Sequence, residues 1–211
     1  VTNHEVKNII YSTVANVPPP QWIDKWKSEE HFLLALGPEV PLPFTSDYST
    51  MGTLGQDRIA AVAGSLALPT KLAPAVAPKL IVDAGTCATL DLIDGRANYQ
   101  GGNISPGIRM RLKAMHAFTA RLPALDPADV TGRVGQSTAA ALRHGAQLGL
   151  VYEIEGLFQR LRQDFPDLLL LLTGGDAEWL AEHLRTTFVF CPHLVLRGLN
   201  LILSNYVNNE S

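Results

Sequence analysis

The arrangement of apolar and polar positions is most regular in the second half of the chain, where it predicts three strands followed by a helix. The strands are predicted at residues 79–83, 88–93 and 98–104, with turns at Gly85-Thr86 and Asp94-Gly95 between them. The helix is expected to begin with Ser105 as its N-cap and Pro106 as its first residue. Its apolar positions recur at helical spacing and are Ile108, Leu112, Met115 and Leu122.

Further elements are predicted downstream. A long helix is expected from residues 135–138 to about residue 165, followed by a strand at 168–173 and a Gly174-Gly175 turn. A helix from Asp176, a strand at 188–191 and a last helix complete the chain. Residues 71–211 therefore form one lobe, with the order βββ-α-β-α.

The first part of the chain predicts a smaller lobe, residues 1–70. One buried strand is expected within residues 8–14, ended by Pro18-Pro19-Pro20. Residues 37–55 are punctuated by glycine and proline and should be irregular or short-stranded. A helix is expected to begin near Asp57, with a small apolar body that Pro69 stops. The chain is thus expected to be an α/β protein of two packed lobes.

Composition and charge restrict the function. The 211 residues are 46% hydrophobic and 18% charged, which is enough to bury a core. A net charge of -3 and a pI near 6.1 argue against a dedicated binder of nucleic acid or anionic membrane. Cys87 and Cys191 lack the close spacing of a zinc site and suit a reducing, cytoplasmic compartment. Neither a membrane span nor a signal peptide is recognised.

Two glycine turns carry candidate phosphate chemistry. In Asp83-Ala84-Gly85-Thr86 a carboxylate ends a buried strand, and the following turn offers backbone N–H groups and a hydroxyl that suit phosphate oxygens or a cation. The alternative is an ordinary hairpin turn. Gly174 and Gly175 join a strand to a helix, where a flat ligand and negative charge are favoured. The alternative there is a plain turn with Asp176 as N-cap.

A third candidate is the turn Gly55-Gln56-Asp57-Arg58, at the start of a helix. Its carboxylate could accept a proton from a substrate hydroxyl, and its guanidinium could bind a carboxylate or phosphate. The alternative is a capped helix. The stripe Gly145, Gly149 and Gly156 on the long helix allows close backbone approach, and packing within the lobe or across a dimer explains it better than ligand contact.

Seven segments, in this order and spacing, resemble the type III pantothenate kinases, and the resemblance covers nearly the whole chain. They are residues 55–58 (Gly-Gln-Asp-Arg), 81–86 (Ile-Val-Asp-Ala-Gly-Thr), 101–107 (Gly-Gly-Asn-Ile-Ser-Pro-Gly), 119–123 (Thr-Ala-Arg-Leu-Pro), 135–138 (Gly-Gln-Ser-Thr), 155–156 (Glu-Gly) and 173–177 (Thr-Gly-Gly-Asp-Ala). The resemblance implies a two-lobed, actin-like (ribonuclease H-like) ATPase fold and ATP-dependent phosphorylation of pantothenate to 4'-phosphopantothenate, the first step of coenzyme A synthesis. It also implies a homodimer and a need for Mg²⁺.

The resemblance also implies roles for single residues. Asp57 is the expected proton acceptor, Gly55, Gln56, Asp57 and Arg58 form the expected substrate turn, and Thr138 is an expected substrate contact. Asp83 is the expected ligand of a monovalent cation, potassium or ammonium. The expected ATP contacts are Thr86, Gly85, Gly174 and Gly175.

One family feature has no counterpart in the sequence. Family members begin with a strand and an Asp-x-Gly-Asn-Thr turn, a first phosphate loop, and nothing before Ile9 matches it. The first lobe is therefore expected to lack its first hairpin, and the 211-residue polypeptide is expected to be severely impaired in phosphoryl transfer, which depends on positioning and charge neutralisation. Two alternatives are a non-catalytic actin-like regulator or scaffold, and a sugar or acetate kinase of the same superfamily.

Overall fold

A six-stranded mixed sheet lies at the centre of the computed structural model, which describes residues 7–13, 20–28, 31–69, 71–74 and 76–210. The strand order is β3-β6-β5-β4-β7-β8, and β1 and β2 form a separate parallel pair. The strands are β1 Asn8–Tyr11, β2 Phe32–Ala35, β3 Thr45–Ser46, β4 Lys79–Ala84, β5 Cys87–Ile93, β6 Asn98–Pro106, β7 Leu169–Thr173 and β8 Val189–Phe190. The helices are α1 Pro20–Ser28, α2 Gln56–Leu66, α3 Ile108–Ala117, α4 Thr138–Arg143, α5 Gly149–Asp164, α6 Ala177–His183 and α7 Leu194–Glu210.

The three consecutive strands predicted within residues 79–104 are present and form an antiparallel meander. β5 pairs antiparallel with β4 and β6, and β4 pairs parallel with β7. Because side chains alternate between the faces of a strand, Leu80 and Val82 pack on one side of the sheet and Ile81 on the other. Both faces are covered, which is why these strands are continuously apolar.

The two faces of the sheet bury different helices. α3, α5 and α6 cover one face, where Leu112, Ile154 and Leu180 are buried with Leu80 and Val82. α2 and α7 cover the other face and pack closely against each other. A Cβ atom at Gly198 of α7 would lie 2.7 Å from the backbone nitrogen of Gly64 in α2, so glycines at this crossing bring the two backbones together.

The elements cross the boundary predicted at residue 70. β3 pairs with β6 of the large sheet, and the last helix, α7, contacts β1 as well as α2. The division into residues 1–70 and 71–211 therefore stays a prediction. Among the described residues, no helix is both long enough and apolar enough to cross a membrane.

Several predicted boundaries differ from the structure. Ser105 and Pro106 do not begin α3, because they pair with Ala88 and Cys87 as the last residues of β6. Gly107 is the N-cap instead, and Leu122 lies beyond the end of α3. The long helix begins at Thr138 and is continuous to Asp164 through a π-helical turn at His144–Leu148. The predicted first strand ends at Tyr11, and the part of that prediction at residues 14–19 lies outside the described residues.

Candidate active site

The turn at residues 55–58 forms the N-terminus of α2. Gly55 is the N-cap, and a Cβ atom there would overlap the Asp57 carboxylate, so a larger residue would displace that carboxylate. Asp57 is exposed, and its Oδ1 accepts a hydrogen bond of 2.9 Å from the backbone N–H of Arg58. The carboxylate thus lies at the positive end of a helix and remains accessible from solvent, which suits a proton acceptor.

The Gln56 side chain connects α2 to the small parallel sheet. Its Oε1 accepts a hydrogen bond of 2.8 Å from the backbone N–H of Thr13, and its Nε2 donates one of 2.6 Å to the carbonyl oxygen of Leu36. Thr13 and Leu36 follow β1 and β2, so both polar atoms of the side chain hold these strand ends beside the turn. The expected contribution of Gln56 to substrate binding stays a prediction.

Arg58 points inward and is only 4% exposed. Its Nε and Nη2 donate hydrogen bonds of 2.9 and 2.6 Å to Oδ1 of Asp91, and Nη2 also donates one of 2.8 Å to the Tyr99 hydroxyl. Burial disfavours the charged guanidinium, but the hydrogen bond and charge of Asp91 outweigh this cost and raise the pKa of Arg58. The side chain expected to bind an anion is therefore held charged within a buried ion pair.

Asp83 lies at the end of β4, between Thr89 of β5 and Thr173 of β7. Because Thr89 and Asp91 are two residues apart on β5, Asp83 and Asp91 share one face of the sheet. Burial, followed by the nearby charges of Asp57 and Asp91, raises the pKa of Asp83. Asp83 is thus affected by the negative charges of two other carboxylates, one of which, Asp91, is paired with Arg58.

This crowding of negative charge suits a cation. The described residues contain no group of three or more His, Cys, Asp or Glu side chains arranged to hold a metal ion. A site with one carboxylate, such as Asp83, therefore needs backbone carbonyl or substrate phosphate oxygens to complete the coordination, as Mg²⁺ sites in phosphoryl-transfer enzymes commonly do. The residues present fit that kind of site.

The two glycine turns are in direct contact. Gly174 has a φ of 101°, and a Cβ atom there would overlap the backbone of Ala84. The N–H of Asp176 donates a hydrogen bond of 2.9 Å to the carbonyl oxygen of Ala84. Asp176 is the N-cap of α6 but makes no side-chain capping bond; its carboxylate lies 3.4 Å from Nη1 of Arg109 instead.

A cavity of about 510 Å³ adjoins these turns. Asp83, Gly174 and Gly175 line one side, and the segment that leads into α7 lines the other. Gly85 is half-buried and Thr86 is exposed at the tip of the neighbouring hairpin. The residues expected to contact ATP therefore belong to two adjoining turns, and Asp83 lies at the cavity wall.

Thr138 lies apart from this group. It is exposed at the start of α4, after the N-cap Ser137, and the adjacent cavity of about 620 Å³ is lined by residues between 129 and 144. None of residues 55–58 lines that cavity. Next to the cavity, the side chain of Gln147 accepts a hydrogen bond from the N–H of Ala128 and donates one to its carbonyl oxygen. The structure of one chain thus does not bring Thr138 to the turn at Asp57.

The sequence interpretation missed Asp91 and Tyr99. Asp91 was counted as a polar position on the alternating strand β5, yet it is 0% exposed because Tyr99 and Arg58 cover it. Tyr48 was missed as well; its ring packs on that of Tyr99 at 5.7 Å. The available signal for a buried ion pair was a charged residue between Leu90 and Leu92. That signal could be used only if both faces of the strand were known to be buried, because on a half-exposed strand an aspartate would face solvent.

Comparison with known proteins gives consistent matches. The family model described as type III pantothenate kinase matches residues 1–160. A type III pantothenate kinase of Phocaeicola vulgatus is 42% identical over 172 residues, which cover 82% of this chain and 69% of that protein. One from Porphyromonas gingivalis is 38% identical over 208 residues, which cover 96% of this chain and 82% of that protein.

A solved structure is also similar. It is that of a Campylobacter jejuni protein assigned to the Baf family of transcriptional activators, with a TM-score of 0.60 and 25% identity. The match covers 97% of this chain and 86% of that one. The mixed α/β architecture is therefore found in a protein of known structure.

Proposed function

Because the chain belongs to the type III pantothenate kinase family, we propose that it catalyses the ATP-dependent phosphorylation of pantothenate to 4'-phosphopantothenate, the first step of coenzyme A synthesis. The observation that carries the proposal is the approach of Asp57 to Asp83. An exposed carboxylate at a helix N-terminus lies close enough to the desolvated Asp83 to raise its pKa. Because α2 also packs on the face of the sheet that carries Asp83, this arrangement supports the proposal that a proton acceptor and a cation ligand lie in one site.

Asp57 is the proposed general base. Its carboxylate orients the primary hydroxyl of pantothenate and accepts the hydroxyl proton as the oxygen attacks the γ-phosphorus in line. The new bond joins that oxygen to phosphorus, the bond to the β,γ-bridging oxygen breaks, and ADP leaves. Arg58 supplies positive charge for the carboxylate of pantothenate, and Gly55 and Gln56 complete the substrate turn with Thr138 as a further contact.

The phosphates of ATP are proposed to lie against the turns at Gly85-Thr86 and Gly174-Gly175, where backbone N–H groups and the Thr86 hydroxyl can donate to them. Asp83 is the proposed ligand of potassium or ammonium. That ion and Mg²⁺ would neutralise charge on the phosphates when bound. An actin-like arrangement of the lobes, a cytoplasmic location and a homodimer complete the proposal, and neither nucleic acid nor membrane is a proposed partner.

The test is a coupled assay of ADP release with pantothenate, ATP and Mg²⁺, with and without potassium or ammonium. We expect turnover to depend on pantothenate and to rise with the monovalent ion. Asp57→Asn should lower kcat by about 10²–10⁴-fold, because general-base catalysis contributes that much. The exposed Asp164, at the end of α5, offers Asp164→Asn as a control that removes a carboxylate away from the site.

A second comparison tests the expected impairment of the 211-residue chain. The same assay should be run on this chain and on a version extended at its N-terminus by a strand and an Asp-x-Gly-Asn-Thr turn of the family pattern. We expect the extension to restore turnover. A folded extended protein that binds neither ATP nor pantothenate would contradict the proposal and favour a non-catalytic regulator.

A further inference from the structure

Three donors converge on one oxygen of Asp91. Nε and Nη2 of Arg58 and the hydroxyl of Tyr99 all bond to Oδ1, at 2.9, 2.6 and 2.7 Å. Nη2 also donates to the Tyr99 hydroxyl, which closes a triangle of hydrogen bonds. Oδ2 is buried and has no hydrogen-bond partner among the described residues. The arrangement therefore fixes the guanidinium through Nε and Nη2.

The planar guanidinium of Arg58 suits this triangle of hydrogen bonds. A lysine lacks the second nitrogen of the planar guanidinium and could not donate to Asp91 and Tyr99 in the same geometry. Tyr99 is fully buried, and its ring packs between those of Phe44 and Tyr48. Burial and the charge of Asp91 raise the pKa of Tyr99, so its hydroxyl keeps the proton that it donates.

Gly102 provides the space for this network. It lies opposite Asp91 in the pairing of β5 with β6. A Cβ atom there would lie 2.6 Å from Oδ1 of Asp91 and 2.8 Å from Nη2 of Arg58, closer than such atoms can approach. The glycine at this position of the Gly-Gly-Asn-Ile-Ser-Pro-Gly segment thus acts on the substrate turn, although it is distant from that turn in sequence.

We infer that Asp91 and Tyr99 are positioning residues that hold the Arg58 guanidinium, and with it the substrate turn at residues 55–58, in one orientation for pantothenate binding. The inference rests on the proposed function, since it takes pantothenate as the anion. Asp91 also offsets the charge of a buried guanidinium, which would otherwise be costly to bury. Neither residue touches the reacting atoms, so their loss should weaken pantothenate binding more than the chemical step.

Tyr99→Phe tests this, because it removes one hydroxyl and keeps the packed ring. We expect the KM for pantothenate to rise about tenfold, because a hydrogen bond to a charged group is lost. The KM for ATP should stay unchanged and kcat should change by less than about threefold. Tyr152→Phe, on the exposed face of α5, is the control with no expected effect. An unchanged KM for pantothenate in folded Tyr99→Phe would overturn the inference.

A double-mutant cycle separates positioning from general stability. Arg58→Lys removes the guanidinium that Tyr99 orients, so adding Tyr99→Phe to it should raise the KM for pantothenate by less than twofold more. Additive losses in the cycle would mean that Tyr99 acts through the fold as a whole.

Two further measurements do not require turnover. Calorimetry of pantothenate binding without ATP should show the same tenfold loss in Tyr99→Phe. In the unmutated chain, the Arg58 Nε–H resonance, assigned by its loss in Arg58→Lys, should exchange slowly with solvent at pH 7; fast exchange would overturn the network. If the N-terminally extended protein without substitutions neither binds nor phosphorylates pantothenate, the proposed function fails, whereas the exchange measurement still tests the network by itself.

Discussion

Gly174 lies against the backbone of Ala84 so closely that a methyl group at position 174 has no space. The positive φ of Gly174 adds a second reason for glycine there. Gly174→Ala should therefore separate the two turns, lower the free energy of unfolding by about 1–3 kcal/mol and raise the KM for ATP. Chemical denaturation and steady-state kinetics measure the two effects.

Gly175 is the matched position for the stability measurement. No atom lies within 4 Å of a Cβ atom built on it, and its φ is not in the positive region. Gly175→Ala should change the free energy of unfolding by less than about 0.5 kcal/mol. Equal destabilisation by both variants would show that contact with Ala84 is not the cause.

Asp83→Asn should make the protein more stable and less active at neutral pH. Because the pKa of Asp83 is raised in the folded state, ionisation costs folding free energy as the pH rises from the unfolded value near 3.9 through the folded value. The variant cannot ionise, so its Tm should exceed that of the wild type at pH 7. The difference should shrink as the pH falls and vanish well below about 3.9, where the carboxyl is protonated in both states.

The activity of the same variant tests the cation role. Asp83→Asn should lose most of the activation by potassium or ammonium, in the coupled assay with a titration of each ion. Retained activation together with a raised Tm would mean that the raised pKa reflects burial and crowding alone.

Gly198→Ala should destabilise the crossing of α2 and α7. The added methyl group would lie 2.7 Å from the carbonyl carbon of Ala60 and from the nitrogen of Gly64, so the helices must separate, at a cost of about 1–3 kcal/mol. A Cβ atom at Gly156 in α5 would have no atom within 4 Å. Gly156→Ala should therefore raise the free energy of unfolding by up to about 1 kcal/mol, because alanine favours the helix more than glycine does. Urea unfolding of both variants provides the comparison, and a neutral Gly198→Ala would contradict the close packing.

The predictable part of this molecule is local. The turn after Asp83 and the strands around it followed from apolar runs and glycines, and the structure has them at nearly the predicted residues. Ser105 and Pro106 were misassigned because an N-cap pattern was given precedence, whereas pairing with β5 continues the strand through Pro106. That pairing joins residues that are distant in sequence, so the pattern of neighbouring residues could not predict it.

The candidate site divides in the same way. Asp57 at a helix start and Asp83 at a strand end are local features, and both lie where the pattern predicts them. The partners of Arg58 come from β5 and β6, more than thirty residues away. The inward direction of Arg58 and the engagement of Gln56 by strand ends depend on how distant elements pack, so residue type alone suggested two exposed substrate contacts.

The crossing of α2 and α7 also has a consequence for biosynthesis. α2 ends at Leu66, whereas its partner begins at Leu194, close to the end of the chain. During synthesis the ribosome must therefore complete the whole second half before the apolar surface of α2 can be covered. The candidate turn at the start of α2 therefore emerges early, but the helix that packs against α2 is synthesised more than one hundred residues later.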